Sequence, residues 1–464
     1  MNHRETKPFG MRDKIGYLFG DFGNDFTFIF ASSFLMVFYM KVLGISGAAV
    51  GTLFMAARFV DAFTDVGMGR IVDSLKPAKD GKFRCWIRRM CGPVAISSFL
   101  MYQSALVGAP MAIKLVYMYV TYILWGSIFY TSINIPYGSM ASAMTEEPDE
   151  RTSLSTYRSI GATLASLVIG VVTPLVIYTK DGNGNQVIRG GNVFTVTAGV
   201  FSVLAIICYL ICYRMTTERV RIEKENTEKL TFSQTFQAIF TSRSLLGIIG
   251  AAIFLLLSQL LISSMNNYLY TEYFQNAAGI SAYTVITTVM MLLIVAPFGV
   301  PISRKFGKKE AATAGLFLSA GTYFLMYLLR IRNLWLFLAL TAVGYLGMAF
   351  FNTVIWANIT DVIDNQEVVT GSREDGTVYA VYSFARKVGQ ALAGGAGGWA
   401  LTLIGYDEKL QVQSAEVIQG IYSVSTLIPA VCFLIVALIL WFVYPLNKKK
   451  VEENTRILQK RHHL

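Results

Sequence analysis

Charge is scarce in this chain. Only 15% of its 464 residues are Asp, Glu, Lys or Arg, against 54% hydrophobic residues, and the mean hydropathy is +0.50. A soluble domain carries about 25% charged residues, so a soluble globular class is excluded. Histidine is scarcer still: His3, His462 and His463 all lie in the tails, which keeps a histidine proton relay or histidine metal site out of the apolar body. The five cysteines, Cys85, Cys91, Cys208, Cys212 and Cys432, form no CxxC pair and read as packing residues. No GxxxxGK[ST] occurs, which excludes nucleotide use by a P-loop. No nucleophile and base pair is visible, so the chain does not read as an enzyme. A net charge of +11 would suit nucleic acid, but the positions of the charges give it another meaning.

What the chain has is apolar length. Runs able to cross a bilayer, about 20 residues each, recur at 15–40, 47–72, 86–108, 113–143, 153–178, 193–213, 240–271, 282–304, 310–329, 334–362, 376–405 and 419–444. They predict twelve transmembrane helices. The charged segment Arg214 to Arg243 divides these six and six. The expected domains are therefore an N-terminal half over 1–213, a cytoplasmic linker over 214–239 and a C-terminal half with a tail over 240–464. The loop RKFGKKE of the second half echoes the Gly81-Lys82-Phe83-Arg84 loop of the first. Six plus six helices around a long central loop is the layout of the major facilitator fold, with substrate midway between the halves. The expected class is thus an all-α membrane protein of that fold.

Lys and Arg concentrate in alternate loops, among them Arg84, Arg88, Arg89, Arg304, Lys305, Lys308, Lys309 and Lys448 to Lys450. The other loops hold only Lys41, Lys114, Lys180, Arg189, Arg330, Arg332 and Lys409. By the positive-inside rule both termini are cytoplasmic, in a multi-pass protein of the cell membrane, and nucleic acid is not a partner. The polar first fourteen residues do not resemble a cleavable signal peptide.

Polar groups inside such spans mark function. In RFVDAFTDVGMGRIVD, Asp61 and Asp65 stand four apart and share one helix face, with Thr64 beside them. Each ionised Asp near a bilayer centre costs about 2.5–3.5 kcal/mol, so Arg58, a bound Na⁺ or a shared proton must compensate. A plain ion pair between helices is the blander reading. In GDFGNDF, Asp25 lies deeper than Asp21 and is the candidate to face an aqueous cavity, whereas Asp21 is expected to cap or pair near the inner surface. Thr131, Ser132, Asn134, Tyr137 and Ser139 crowd hydroxyls and amides around Pro136, and Arg158 must face a cavity or a carboxylate. In the second half, Gln259, Ser263, Ser264, Asn266, Asn267, Tyr268 and Tyr270 offer polar lining or interhelical bonds, and Trp356 and Asn358 offer cavity lining. Asp361, Asp364 and Glu367 are placed to pair with basic loops. Arg386 and Lys387 are adjacent, so at least one should face the cavity.

Together, GDFGNDF, ARFVDAFTDVGMGRIVD with GKFR, NIPYGSMASAMT and YSFARKVGQA resemble the glycoside/pentoside/hexuronide:cation symporter family, across both halves and in its order. The resemblance implies the major facilitator fold and sugar uptake driven by H⁺ or Na⁺, with no other cofactor. Carried over by position, it places the cation site on Asp61, Thr64, Asp65 and Thr131. It places the sugar site on Asp25, Asn134, Gly138, Arg158 and Lys387. Thr64 stands where Na⁺-coupled members often have Asn, which makes H⁺ a serious choice. Asn134 and Gly138 stand where the melibiose-type pattern has Asp and Trp.

Losing that carboxylate while carrying Arg386 beside Lys387 makes the cavity more positive and suits a carboxylate-bearing sugar. The segments NIPYGS and FARKVGQA look most like the glucuronide-carrier branch. Expected, then, is a cation-coupled symporter of a glycoside or hexuronide, glucuronides first, with Trp356 and Arg386 added to the substrate site. Its partners are a small sugar, a monovalent cation and the lipid bilayer. A neutral glycoside or xyloside symporter is the alternative, favoured by Asp25; a lysolipid carrier or a non-transporting sensor comes behind it.

Overall fold

Twelve long helices follow one another in the computed structural model, which describes residues 8–75, 78, 80–220, 242–371 and 375–462. They are α1 (Met11–Val42), α2 (Gly47–Ser74), α3 (Arg84–Leu100), α4 (Met111–Met144), α5 (Pro148–Ile177) and α6 (Gly191–Met215). Then come α7 (Arg243–Tyr273), α8 (Ala278–Phe306), α9 (Lys308–Leu329), α10 (Leu334–Thr370), α11 (Asp375–Leu403) and α12 (Ala415–Val443). A thirteenth, α13 (Lys448–His462), is polar. Each of the twelve coincides with a predicted span, and the all-α expectation holds. The additions are one antiparallel hairpin, β1 (Tyr178–Lys180) with β2 (Gln186–Ile188), in the loop after α5, and a helix end for α3 at Leu100 rather than 108.

Among the described residues, ten helices are long and apolar enough to cross a membrane. The two that fall short are α2 and α11. They carry Arg58, Asp61 and Asp65 in one case and Arg386 and Lys387 in the other, so the shortfall in hydropathy comes from the charges singled out above.

By its internal contacts the chain forms two compact units, Met1–Asn226 with Asp407–Val412, and Thr227–Tyr406 with Gln413–Leu464. The short Asp407–Val412 segment thus belongs with the first unit, where the Gly47 N–H donates to Glu408 Oε1 at 2.9 Å and caps the start of α2. Most of the expected linker, like His3 and His463, lies outside the described residues.

The units repeat one packing plan. In the first, α1 packs on α5 and α6 while α3 packs on α6; in the second, α7 packs on α11 and α12 while α9 packs on α12. Small residues allow the equivalent approaches. A Cβ at Gly161 of α5 would overlap the Leu18 carbonyl of α1, and one at Gly389 of α11 would sit 3.1 Å from Ile253 Cα of α7. The second unit's core is continuous, through Leu245, Leu255, Leu316, Phe351, Val381 and Phe433.

At the loop ends the cationic segments are held by acids. Glu218, just after α6, accepts the N–H groups of Lys82, Phe83 and Arg84 at 2.7–2.9 Å and so caps α3. Asp13 pairs with Arg219 at 2.9 Å and Asp80 with Arg88 at 3.0 Å. In the second unit Lys308 pairs with Asp361 at 2.6 Å, as expected of a basic loop meeting that acid, whereas Arg461 reaches the Glu367 backbone carbonyl.

Candidate functional site

The first cluster joins α2 to α4. Asp61 and Asp65, one turn apart, meet Ser127 and Thr131, also one turn apart. Ser127 Oγ donates to Asp61 Oδ1 at 2.5 Å and Thr131 Oγ1 donates to Asp65 Oδ1 at 2.9 Å. Arg58 Nη1 lies 3.2 Å from Asp61 Oδ2, and its guanidinium rests over the Phe28 ring at 5.7 Å. One carboxylate is thereby offset by a cation on its own helix, and both receive hydroxyl donors. Thr64 is placed differently from the expectation. Its Oγ1 donates to the Val60 and Asp61 carbonyls, both at 3.3 Å, because a threonine inside a helix readily bonds back to its own backbone. Ser127, not Thr64, brings the additional hydroxyl to the carboxylates. It sits on a π-helical stretch, Leu124–Tyr130, the kind of local widening often found at functional sites.

The second cluster joins α1, α4 and α5. Arg158 does find a carboxylate, but that of Asp21: Nε to Oδ1 is 3.0 Å. Asp21 is 7% exposed, so of the two roles expected for it, cap or pair, it takes the pairing one, as a buried partner. The guanidinium also lies over the Tyr137 ring at 5.4 Å. That ring is fixed in turn: it stacks on Tyr17 at 4.6 Å, and the Tyr137 hydroxyl donates to the Tyr17 carbonyl at 2.6 Å. Gly20 must be glycine here, since a Cβ would overlap the Tyr137 ring. At Gly138 there is room instead, with only Arg158 Nη1 near, 3.8 Å from where a Cβ would be. Asp25, half-buried and within range of the charges of Asp21 and Arg158, has no hydrogen-bond or ion-pair partner among the described residues. Asn134 is half-buried on α4.

One stripe of α4 serves both clusters. Ser127, Thr131, Asn134 and Gly138 recur at i, i+4, i+7 and i+11, which is one face of a helix; the first two touch the Asp61/Asp65 pair and the last borders Arg158. A rotation of this helix moves both sets of groups together.

In the second unit, Arg386 and Trp356 border a cavity of about 250 Å³, shared with Gln259, Asn352 and Tyr382. Trp356 and Tyr382 meet edge to face at 5.3 Å, and Arg386 lies over both rings, at 5.4 and 6.0 Å. Such contacts hold a cation without neutralising it. Arg386 has no ion-pair partner among the described residues. Lys387, its neighbour, is half-buried and does not border this cavity, as expected for adjacent residues on a helix. Of the polar residues of α7, Gln259 alone reaches it, while Asn267, Tyr268 and Tyr270 are buried.

Residues 16–448 match the family model described as MFS/sugar transport protein. The chain belongs to this family. The transporter is 32% identical over 447 residues to the glucuronide carrier protein homolog of Escherichia coli (strain K12), covering 95% of this chain and 94% of that protein. It is 28% identical over 450 residues to the isoprimeverose transporter of Lactiplantibacillus pentosus, covering 96% and 90%. Its fold resembles that of a bacterial homolog of the human lysosomal transporter Spinster, solved in an inward-facing, unoccupied conformation, with TM-score 0.68, 13% identity and coverage of 96% and 99%. The family and fold expected from the motifs are therefore those of this transporter, a multi-pass membrane protein that moves sugar.

Asp21, Ser127, Asn352 and Tyr382 belong to these clusters and were not in the expected site. Each stands four positions before one that was in it, namely Asp25, Thr131, Trp356 and Arg386. The signal that would have found them is the helical turn itself.

Proposed function

We propose that this transporter is a cation-coupled symporter that brings a glycoside or hexuronide into the cell, glucuronides favoured, without enzymatic chemistry. The observation that carries the reading is Arg386 at a cavity, held by two aromatic rings and unmatched by an acid among the described residues. A carboxylate on the substrate would supply the missing partner through charge-assisted bonds. The similarity to a glucuronide carrier homolog supports the same choice. Asp61, Asp65, Thr131 and Ser127 form an oxygen-only set that suits a hard monovalent cation or a proton, so the coupling ion is H⁺ or Na⁺ and no other cofactor is needed. The concentration of Lys and Arg in alternate loops supports cytoplasmic termini in a cell-membrane protein.

A neutral glycoside is the second reading, favoured by Asp25, whose carboxylate would accept sugar hydroxyls and repel a uronate. The test is a thermal-shift screen of the purified carrier against glucuronides, xylosides and galactosides, with and without Na⁺, at two pH values. Ligand at about 100 times its dissociation constant stabilises by about 2.7 kcal/mol. A uronide-selective shift is expected, and its dependence on Na⁺ or acid names the ion. A shift with neutral glycosides alone transfers recognition to Asp25; no shift with any sugar overturns the reading.

A further inference from the structure

The two site arginines differ in one respect that bears on specificity. Arg386 is held by rings, whereas Arg158 is held by a carboxylate as well as a ring. Asp21 engages Arg158 through Nε alone, at 3.0 Å. The Nη edge is left to donate, and Nη1 borders the open space at Gly138. The Arg158 side chain is 40% exposed while that of Asp21 is 10% exposed, so the acid is the inner, fixed member of the pair and the guanidinium fork is the outward one. Tyr17, Tyr137 and Gly20 form a rigid floor beneath them.

Counting charge in this cluster, the Asp21 carboxylate cancels the Arg158 guanidinium it pairs with at 3.0 Å. An anion meets no net attraction there. A hydroxyl, by contrast, finds what it needs: the N–H groups of Arg158 as donors and the Asp25 carboxylate as acceptor. We propose that Asp21 is a specificity-determining, positioning residue that turns Arg158 from an anion seat into a reader of sugar hydroxyls. The inference rests on the reading that the carrier binds a sugar, but not on which sugar it prefers.

The test compares two ligands that differ only in charge, methyl β-D-glucuronide and methyl β-D-glucoside, by calorimetry on the full-length carrier and its variants. Asp21→Asn keeps an acceptor for Nε but removes the charge. It should raise the ratio of uronide to glucoside affinity by about tenfold relative to the parent protein. Asp21→Glu, which keeps the charge, should leave the ratio near the parent value. A parallel loss for both ligands in Asp21→Asn, as expected of a merely structural residue, overturns the proposal, and so does an unchanged ratio. If the parent protein prefers the glucoside, the uronide reading above fails, while the change in ratio on substitution still decides the role of Asp21. A second measurement needs no ligand: phenylglyoxal labelling followed by mass spectrometry. Arg386 should be modified several-fold faster than the acid-paired Arg158 in the parent protein, and Asp21→Asn should speed Arg158 several-fold. Arg158 labelling first in the parent protein, or at an unchanged rate in Asp21→Asn, rejects the ion pair as the controlling feature.

Discussion

The two units share a packing plan and differ in how they treat charge. In the first, each site cation meets an acid, Arg58 with Asp61 and Arg158 with Asp21. In the second, Arg386 meets two aromatic rings at a cavity that Gln259 and Asn352 also line. Helix α4 carries a π-helical stretch and a polar stripe, while its counterpart α10 runs unbroken from Leu334 to Thr370. A repeated scaffold thus supports two different chemistries. The first unit presents carboxylates met by hydroxyls, which suits a cation, and the second presents a cation that no acid pairs with among the described residues, which suits an anion.

The largest expected effect bears on the acidic side of this contrast. Asp65→Asn or Asp61→Asn should abolish cation-driven accumulation in vesicles while sugar binding survives. Normal accumulation by both variants would remove the coupling role from the first unit. Next comes Arg386→Ala, which should weaken glucuronide binding by about 2–3 kcal/mol, roughly 30- to 150-fold, and a neutral glycoside by only a few-fold. Equal loss for the two ligands, measured by titration calorimetry, would erase the difference between the units. Gly20→Ala should destabilise the fold by about 1–3 kcal/mol, because the added methyl collides with the Tyr137 ring; a melting temperature equal to that of the parent protein would show the ring to be mobile. The finest test separates Ser127 from Thr64. Ser127→Ala removes a hydrogen bond to a charged group and should weaken coupling-ion affinity about tenfold. Thr64→Ala removes a bond to its own backbone and should change ion affinity less than about twofold. Reversal of that order, read from the ion dependence of transport, would restore Thr64 as the ligand.

The Asp21–Arg158 pair also shows what a one-dimensional reading sees. Its members lie on α1 and α5, more than a hundred residues apart in sequence, and nothing local marks them as partners. Position in the span suggested Asp25 as the functional acid, since it lies deeper. Depth was a fair guide to exposure, as Asp25 is half-buried and without a described partner, but a poor guide to pairing.

Segment length and hydrophobicity alone determined the helices, because a bilayer-crossing run must satisfy its backbone within itself and so declares itself locally. The break between six and six, the motifs of the family and the identity of the unusual charges were legible for the same reason: each is carried by residues close together in the chain. Which hydroxyl meets which carboxylate, Ser127 or Thr64, was decided only by tertiary structure. So were the cancellation of Arg158 by Asp21 and the placing of Arg386, not Lys387, at the cavity. Those outcomes depend on the rotation of one helix against another, and a helix's own sequence fixes its faces but not which neighbour each face will meet.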